Sequence, residues 1–174
     1  MSDKELDTDR NAPIAFGQRL ASSEAFWRLF HEGMALVEET AVYLEGPGKR
    51  DSRRLPRAAS VAFGTESMRL TTRLMQLASW LLLQRAINDG SMGMERAESE
   101  RSKVKLGALA TATEGPDWEG LPVSLKGLIE RSLQLQERVL TLDRGLRGSD
   151  ENAAADNPVA RAIGQIKTAF DGGP

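Results

Sequence analysis

The sequence predicts an all-α fold: a three-helix antiparallel bundle with a disordered N-terminal lead and a flexible C-terminal tail. Three stretches carry leucine and other apolar residues at helical spacing, and Gly- and Pro-marked segments separate them. No stretch alternates polar and apolar residues long enough to make a sheet. The 174 residues fit one compact domain plus tails. The expected division is a lead over 1–15, the bundle over 16–148, and a tail over 149–174 with a short helix at 158–170.

The first helix is expected over 22–45. Ser22 or Ser23 is a good N-cap and Glu24 follows in the first turn. Phe26, Phe30, Gly33, Val37, Thr40 and Leu44 step by four and three, which makes a heptad seam. Gly46-Pro47-Gly48 is read as a sharp end, and the following KRDSRR as a connector.

Pro56 suits a helix start, because its missing N–H would be an orphan there anyway. The second helix is expected over 56–88 and stops at Asn88-Asp89-Gly90. Its centre, Thr65 to Ala86, contains no Gly or Pro. Leu70, Leu74, Leu77 and Leu81 form one apolar row; Met68, Met75, Leu82 and Ala86 form a second on another side. A helix apolar on more than one side must be covered on more than one side. One three-helix core cannot do that, so the pattern implies a homodimer.

Residues 91–119 are ambiguous. MERAESERSK could continue a frayed helix, and the stretch after it looks irregular, packing through Val104, Leu106, Leu109 and Trp118. The third helix is expected over 121–147. Leu121, Leu125, Leu128, Ser132, Leu135, Val139, Leu142 and Leu146 keep heptad spacing throughout. Gly148 is read as its cap and SDENAAADN as an acidic linker. Beyond it, Pro158 can open a short helix with Val159, Ile163, Ile166 and Phe170 on one side.

Composition argues against several activities. The single histidine, His31, has no second His with which to share a metal or a nucleophilic relay. Glu38 and Glu39 are adjacent on a helix and diverge, and neither they nor Glu95, Glu98 and Glu100 match a di-iron pattern. There is no phosphate-binding loop and no cysteine. The expectation is a protein without catalytic residue, cofactor or metal. The acidic, polar N-terminus lacks a signal-peptide core and no apolar run reaches membrane length, so a cytoplasmic location is expected.

Three segments suit partner binding. Arg69, Thr72 and Arg73 make the polar stripe of the second helix. Arg53 and Arg54 belong to a basic cluster with Lys49, Arg50 and Arg57. Net charge is −2 and no aromatics interleave that cluster, so nucleic acid is the weaker choice for it. Val159, Ile163, Ile166 and Phe170 form an amphipathic segment on a tether, the build of a helix-in-groove ligand. An ordinary fourth helix is the equal alternative.

The segments FGQRLASSEAFWRLFHEGMALVEETAVYLEGPGK, LPRAA, TESMRLTTRLMQLASWLLLQRA and LPVSLKGLIERSLQLQERVLTLD resemble the alphaproteobacterial regulator of CtrA degradation family. The resemblance covers Phe16 to about Asp143. It implies a dimeric three-helix bundle with a flexible C-terminal tail. It also implies an adaptor that binds the ClpXP protease, primed by a single-domain response regulator, and delivers substrate proteins directly or through a second adaptor. Recruitment to a cell pole with those partners goes with that role. The alternative is a helical DNA-associated or scaffolding dimer with no part in proteolysis, contacting DNA through Lys49 to Arg57.

Overall fold

The computed structural model describes residues 24–107 and 113–155. Among them are six helices and no strand: α1 (Glu24–Glu45), α2 (Pro47–Arg54), α3 (Arg57–Asn88), α4 (Met94–Lys103), α5 (Pro116–Glu119) and α6 (Val123–Ala155). The N-caps expected at Ser22 or Ser23 and the short helix expected at 158–170 lie outside the described residues.

Three helices carry the core. Heptad positions Phe26, Phe30, Gly33 and Thr40 of α1 are buried, as are Leu70, Leu74, Leu77 and Leu81 of α3. Leu121 lies buried just ahead of α6, and the row from Leu125 to Leu146 is buried along it. Gly33 sits where all three helices meet: a Cβ there would lie 2.6 Å from Leu81 Cδ1 and 3.5 Å from Leu135 Cδ2. No side chain fits that crossing without displacement.

Helix directions depart from the expected antiparallel arrangement. Arg138 pairs with Glu32 and Arg131 with Glu39, so α1 and α6 run antiparallel. The Arg85 guanidinium of α3 lies over the rings of Trp27 and Phe30 while Leu81 faces Gly33, so α1 and α3 are antiparallel as well. Arg73 bonds Ser132 and Trp80 bonds Asp143, so numbers rise together and α3 and α6 are parallel. Between α3 and α6 the chain has to return along the ~48 Å of α3, and residues 89–107 and 113–122 are the described parts of that crossover. The ambiguous stretch is therefore a return path: α4 is a helix of its own, Leu106 is buried, and Gly120 abuts Ala59. Val104 and Trp118 pack on the core as expected; Leu109 lies outside the described residues.

Two further boundaries differ. The expected connector after Gly46 is helix α2, with Pro47 in its first turn and Arg53 and Arg54 in its last, where cations complement the exposed carbonyls. Gly48 packs so closely that a Cβ would lie 2.9 Å from the Tyr43 carbonyl oxygen, and the Tyr43 hydroxyl donates to Asp51 at 3.0 Å. These contacts fold α2 back onto α1. Helix α6 also continues through Gly148 to Ala155, across the segment expected to be cap and linker. Gly148 need not end a helix already propagating, and Ala153 to Ala155 are strong helix formers.

Candidate interaction surfaces

The two apolar rows of α3 meet different fates. The Leu70 row is buried, whereas Met68, Met75 and Leu82 of the second row are 74%, 66% and 49% exposed. Val61, at 65%, extends the row by one more heptad. Between these large side chains lie Thr65, Thr72 and Ser79, all exposed, and Ala86, partly so. The hydroxyls of Thr65, Thr72 and Ser79 donate to the carbonyls of Val61, Met68 and Met75 at 3.1, 2.9 and 2.8 Å. Their hydrogen-bonding capacity is thus partly met within the helix, which leaves short methyl- and methylene-lined positions. The result is a straight, open, largely apolar seam along the outer side of α3. A contiguous exposed stripe of this kind marks a contact surface.

The residues of the expected polar stripe separate in the structure. Thr72 belongs to the seam. Arg69 is half-exposed and pairs with Glu66 at 2.6 Å. Both line a different part of the surface from Arg73, which is 1% exposed and donates to Ser132 Oγ at 3.0 Å. Burial pulls the Arg73 guanidinium below the usual arginine range; Glu66 opposes the shift and Arg69 adds to it. Arg73 is therefore inside the bundle, not on the exposed face with Thr72. Its place was readable: it stands three residues after Leu70 and opposite Ser132, the one polar interruption in the leucine row of α6.

Sequence reasoning missed the rest of this polar layer. Trp80 Nε1 donates to Asp143 at 2.8 Å, and Arg147 Nε donates to the other oxygen of that carboxylate at 2.8 Å. Gln84 donates to Asn88 and accepts from Arg101 of α4, while Gln136 donates to the Leu106 carbonyl of the crossover. Such bonds fix which part of the crossover lies on which turn of α3 and α6, since buried polar groups need particular partners.

Arg69 also lines a cavity of about 800 Å³ between the first half of α3 and α5, with Ala62, Asp117, Trp118 and Leu121 among its walls. Arg53 and Arg54 are exposed on α2 and do not line that cavity. Val159, Ile163, Ile166 and Phe170 lie outside the described residues. His31 is exposed, its Nδ1 2.7 Å from the Trp27 carbonyl oxygen. Among the described residues no three His, Cys, Asp or Glu side chains converge as a metal site, and no helix is long and apolar enough to cross a membrane.

Fold and surface together define the class: an all-helical bundle protein with one long helix face open to solvent. Residues 17–170 match the family DUF1465, described as a protein of unknown function. The crystal structure of RcdA from Caulobacter crescentus CB15 is similar, with 50% sequence identity, a TM-score of 0.60, and coverage of 74% of this chain and 96% of that one. The chain belongs to this family, that of RcdA. No match to the chain is found among curated proteins.

Proposed function

We propose that this chain is a non-catalytic adaptor that promotes degradation of cell-cycle proteins, the transcription regulator CtrA among them, by the ClpXP protease. The observation that carries the reading is the 50% identity to RcdA over 74% of the chain. An adaptor needs surfaces and reach: it raises the local concentration of cargo at the protease through weak sites. The open seam of α3, the cavity beside Arg69 and the exposed Arg53 and Arg54 on α2 offer separate contact surfaces. In this reading the seam, Thr72 included, holds two copies together as a homodimer. Arg69, Arg53 and Arg54 contact the protease with its single-domain response regulator. Val159, Ile163, Ile166 and Phe170 contact cargo or a second adaptor. The protein acts in the cytoplasm and is drawn to a cell pole by its partners.

The test is reconstitution from purified ClpXP, the response regulator, the second adaptor and CtrA, with and without this chain. Faster loss of CtrA when it is present is the expected result. An unchanged rate for CtrA and for every other cargo tried removes the proposal.

A further inference from the structure

The cavity between α3 and α5 is apolar within and charged at its rim, with opposite signs on opposite walls. Its floor is Ala62, Trp118 and Leu121. Along α3 it extends from Arg57 to Arg69, ~18 Å on the helix axis. The crossover supplies the facing wall and runs the other way. Leu106 bonds Gln136, which lies beyond the Ser132–Arg73 level, whereas Gly120 abuts Ala59 near the start of α3. The chain therefore enters this wall from the Arg69 side with Glu114 and leaves it on the Arg57 side with Gly120.

On the α3 wall, Arg57 is exposed, and Arg54 and Arg53 of α2 stand three and four residues before it, within ~15 Å by chain reach. None of the three is ion-paired with a described residue. On the facing wall Glu114 and Asp117 are exposed and equally unpaired, and Glu119 adds to that side from outside the cavity. Arg69 contributes little net charge, because Glu66 holds it at 2.6 Å. An occupant must satisfy both signs. A wholly acidic segment would be repelled by Glu114 and Asp117, and a wholly basic one by Arg57 and its neighbours on α2.

We propose that this cavity takes a short segment of a partner protein in which an acidic residue, an apolar anchor and a basic residue follow one another. The acidic residue meets Arg57, the anchor packs on Trp118 and Ala62, and the basic residue meets Glu114 and Asp117. The ~18 Å length accommodates about five or six residues of extended chain. A buried apolar anchor supplies most of the attraction, and the flanking charges set direction and choice of partner. The inference rests on the adaptor reading only in taking the surface beside Arg69 as a protein contact; it adds Arg57, Asp117 and Trp118 to that contact and gives the partner its chemistry.

The test begins with a phage library of random dodecapeptides selected on the full chain. Phage that bind an Ala62→Trp protein, whose indole would occupy the cavity, are removed first. The enriched peptides should share the order acid, apolar anchor, base. A fluorescein-labelled peptide of that consensus is then followed by anisotropy. Arg57→Glu should weaken its binding about fivefold, and replacing the peptide's acidic residue with lysine should restore the loss. Arg57 is exposed at the first position of α3, where glutamate suits a helix N-terminus, so this variant keeps the test open even if Ala62→Trp fails to fold. Loss of folding could not produce the rescue. A selection without that consensus, or binding that Arg57→Glu leaves unchanged, overturns the proposal. Both readouts are independent of the protease: a chain that selects these peptides but never speeds CtrA loss keeps the site and loses the adaptor role.

Discussion

Replacing Gly33 with Ala tests the three-helix crossing at its tightest point. In a helix interior Gly→Ala alone stabilises by about 1 kcal/mol. At Gly33 the new methyl would stand 2.6 Å from Leu81 Cδ1, against the ~3.5–4.0 Å of a good carbon contact. Leu81 must retreat by roughly 1 Å, but it is fully buried and backed by the rest of the core. Overpacking of this size costs about 1–3 kcal/mol. The clash therefore outweighs the propensity gain, and a net loss of about 1 kcal/mol follows. Gly127 of α6 is the control: nothing lies within 4 Å of its ideal Cβ, so Gly127→Ala should stabilise by about 0.5–1 kcal/mol. Urea denaturation at one fixed protein concentration measures both, and the melting temperatures should differ by several degrees in opposite directions. In a Leu81→Ala background, which removes the clashing atom, Gly33→Ala should lose its cost. A Gly33→Ala protein stabilised as much as Gly127→Ala would refute the crossing described above.

Further outcomes are expected elsewhere. Asp143→Ala should cost about 1–3 kcal/mol by urea denaturation, because it strands the buried Trp80 indole N–H. On the homodimer proposed above, Met68→Lys with Met75→Lys should give a monomer by light scattering while the bundle stays helical by circular dichroism. Burial, reinforced by Asp51, pushes the Tyr43 phenol well above its ordinary value of 10.0. A raised folded pKa means stability is fully present below about pH 10 and is lost as pH rises above it; Tyr43→Phe should flatten that alkaline limb of the stability–pH curve. Ile163→Ser with Phe170→Ser should leave melting unchanged and slow delivery of at least some cargo; a melting temperature lowered by several degrees would make that segment part of the core.

The core was legible because it follows one rule. Every heptad position from Leu121 to Leu146 is buried, including Ser132, and the Leu70 row lies inside as its spacing requires. The second row of α3 was legible as apolar, but sequence could not say whether a neighbouring helix or solvent meets it; in the chain itself it is open. The direction of α6 was not legible, because heptad spacing is the same read up or down and the returning stretch after Asn88 has weak periodicity. The polar layer escaped for a related reason. Trp80, Gln84, Gln136 and Asp143 are each unremarkable in sequence: Trp80 meets Asp143 only through the parallel packing of α3 on α6, and Gln84 and Gln136 find Arg101 and the Leu106 carbonyl only where the crossover returns. Arg73 shows the opposite error: its charge drew it to the surface in the reading, while its spacing from Leu70 put it in the core.

An adaptor that works by tethering has a kinetic signature that an activator of the protease lacks. The initial rate of CtrA degradation by ClpXP with its response regulator is measured as this chain is titrated from well below to well above the protease concentration. A tether should speed degradation at first and then slow it, as excess copies hold cargo and protease apart on different adaptors. A rate that rises through a maximum and falls is the predicted result. A rate that does not change, or that climbs to a plateau and stays there at large excess, would contradict delivery by tethering.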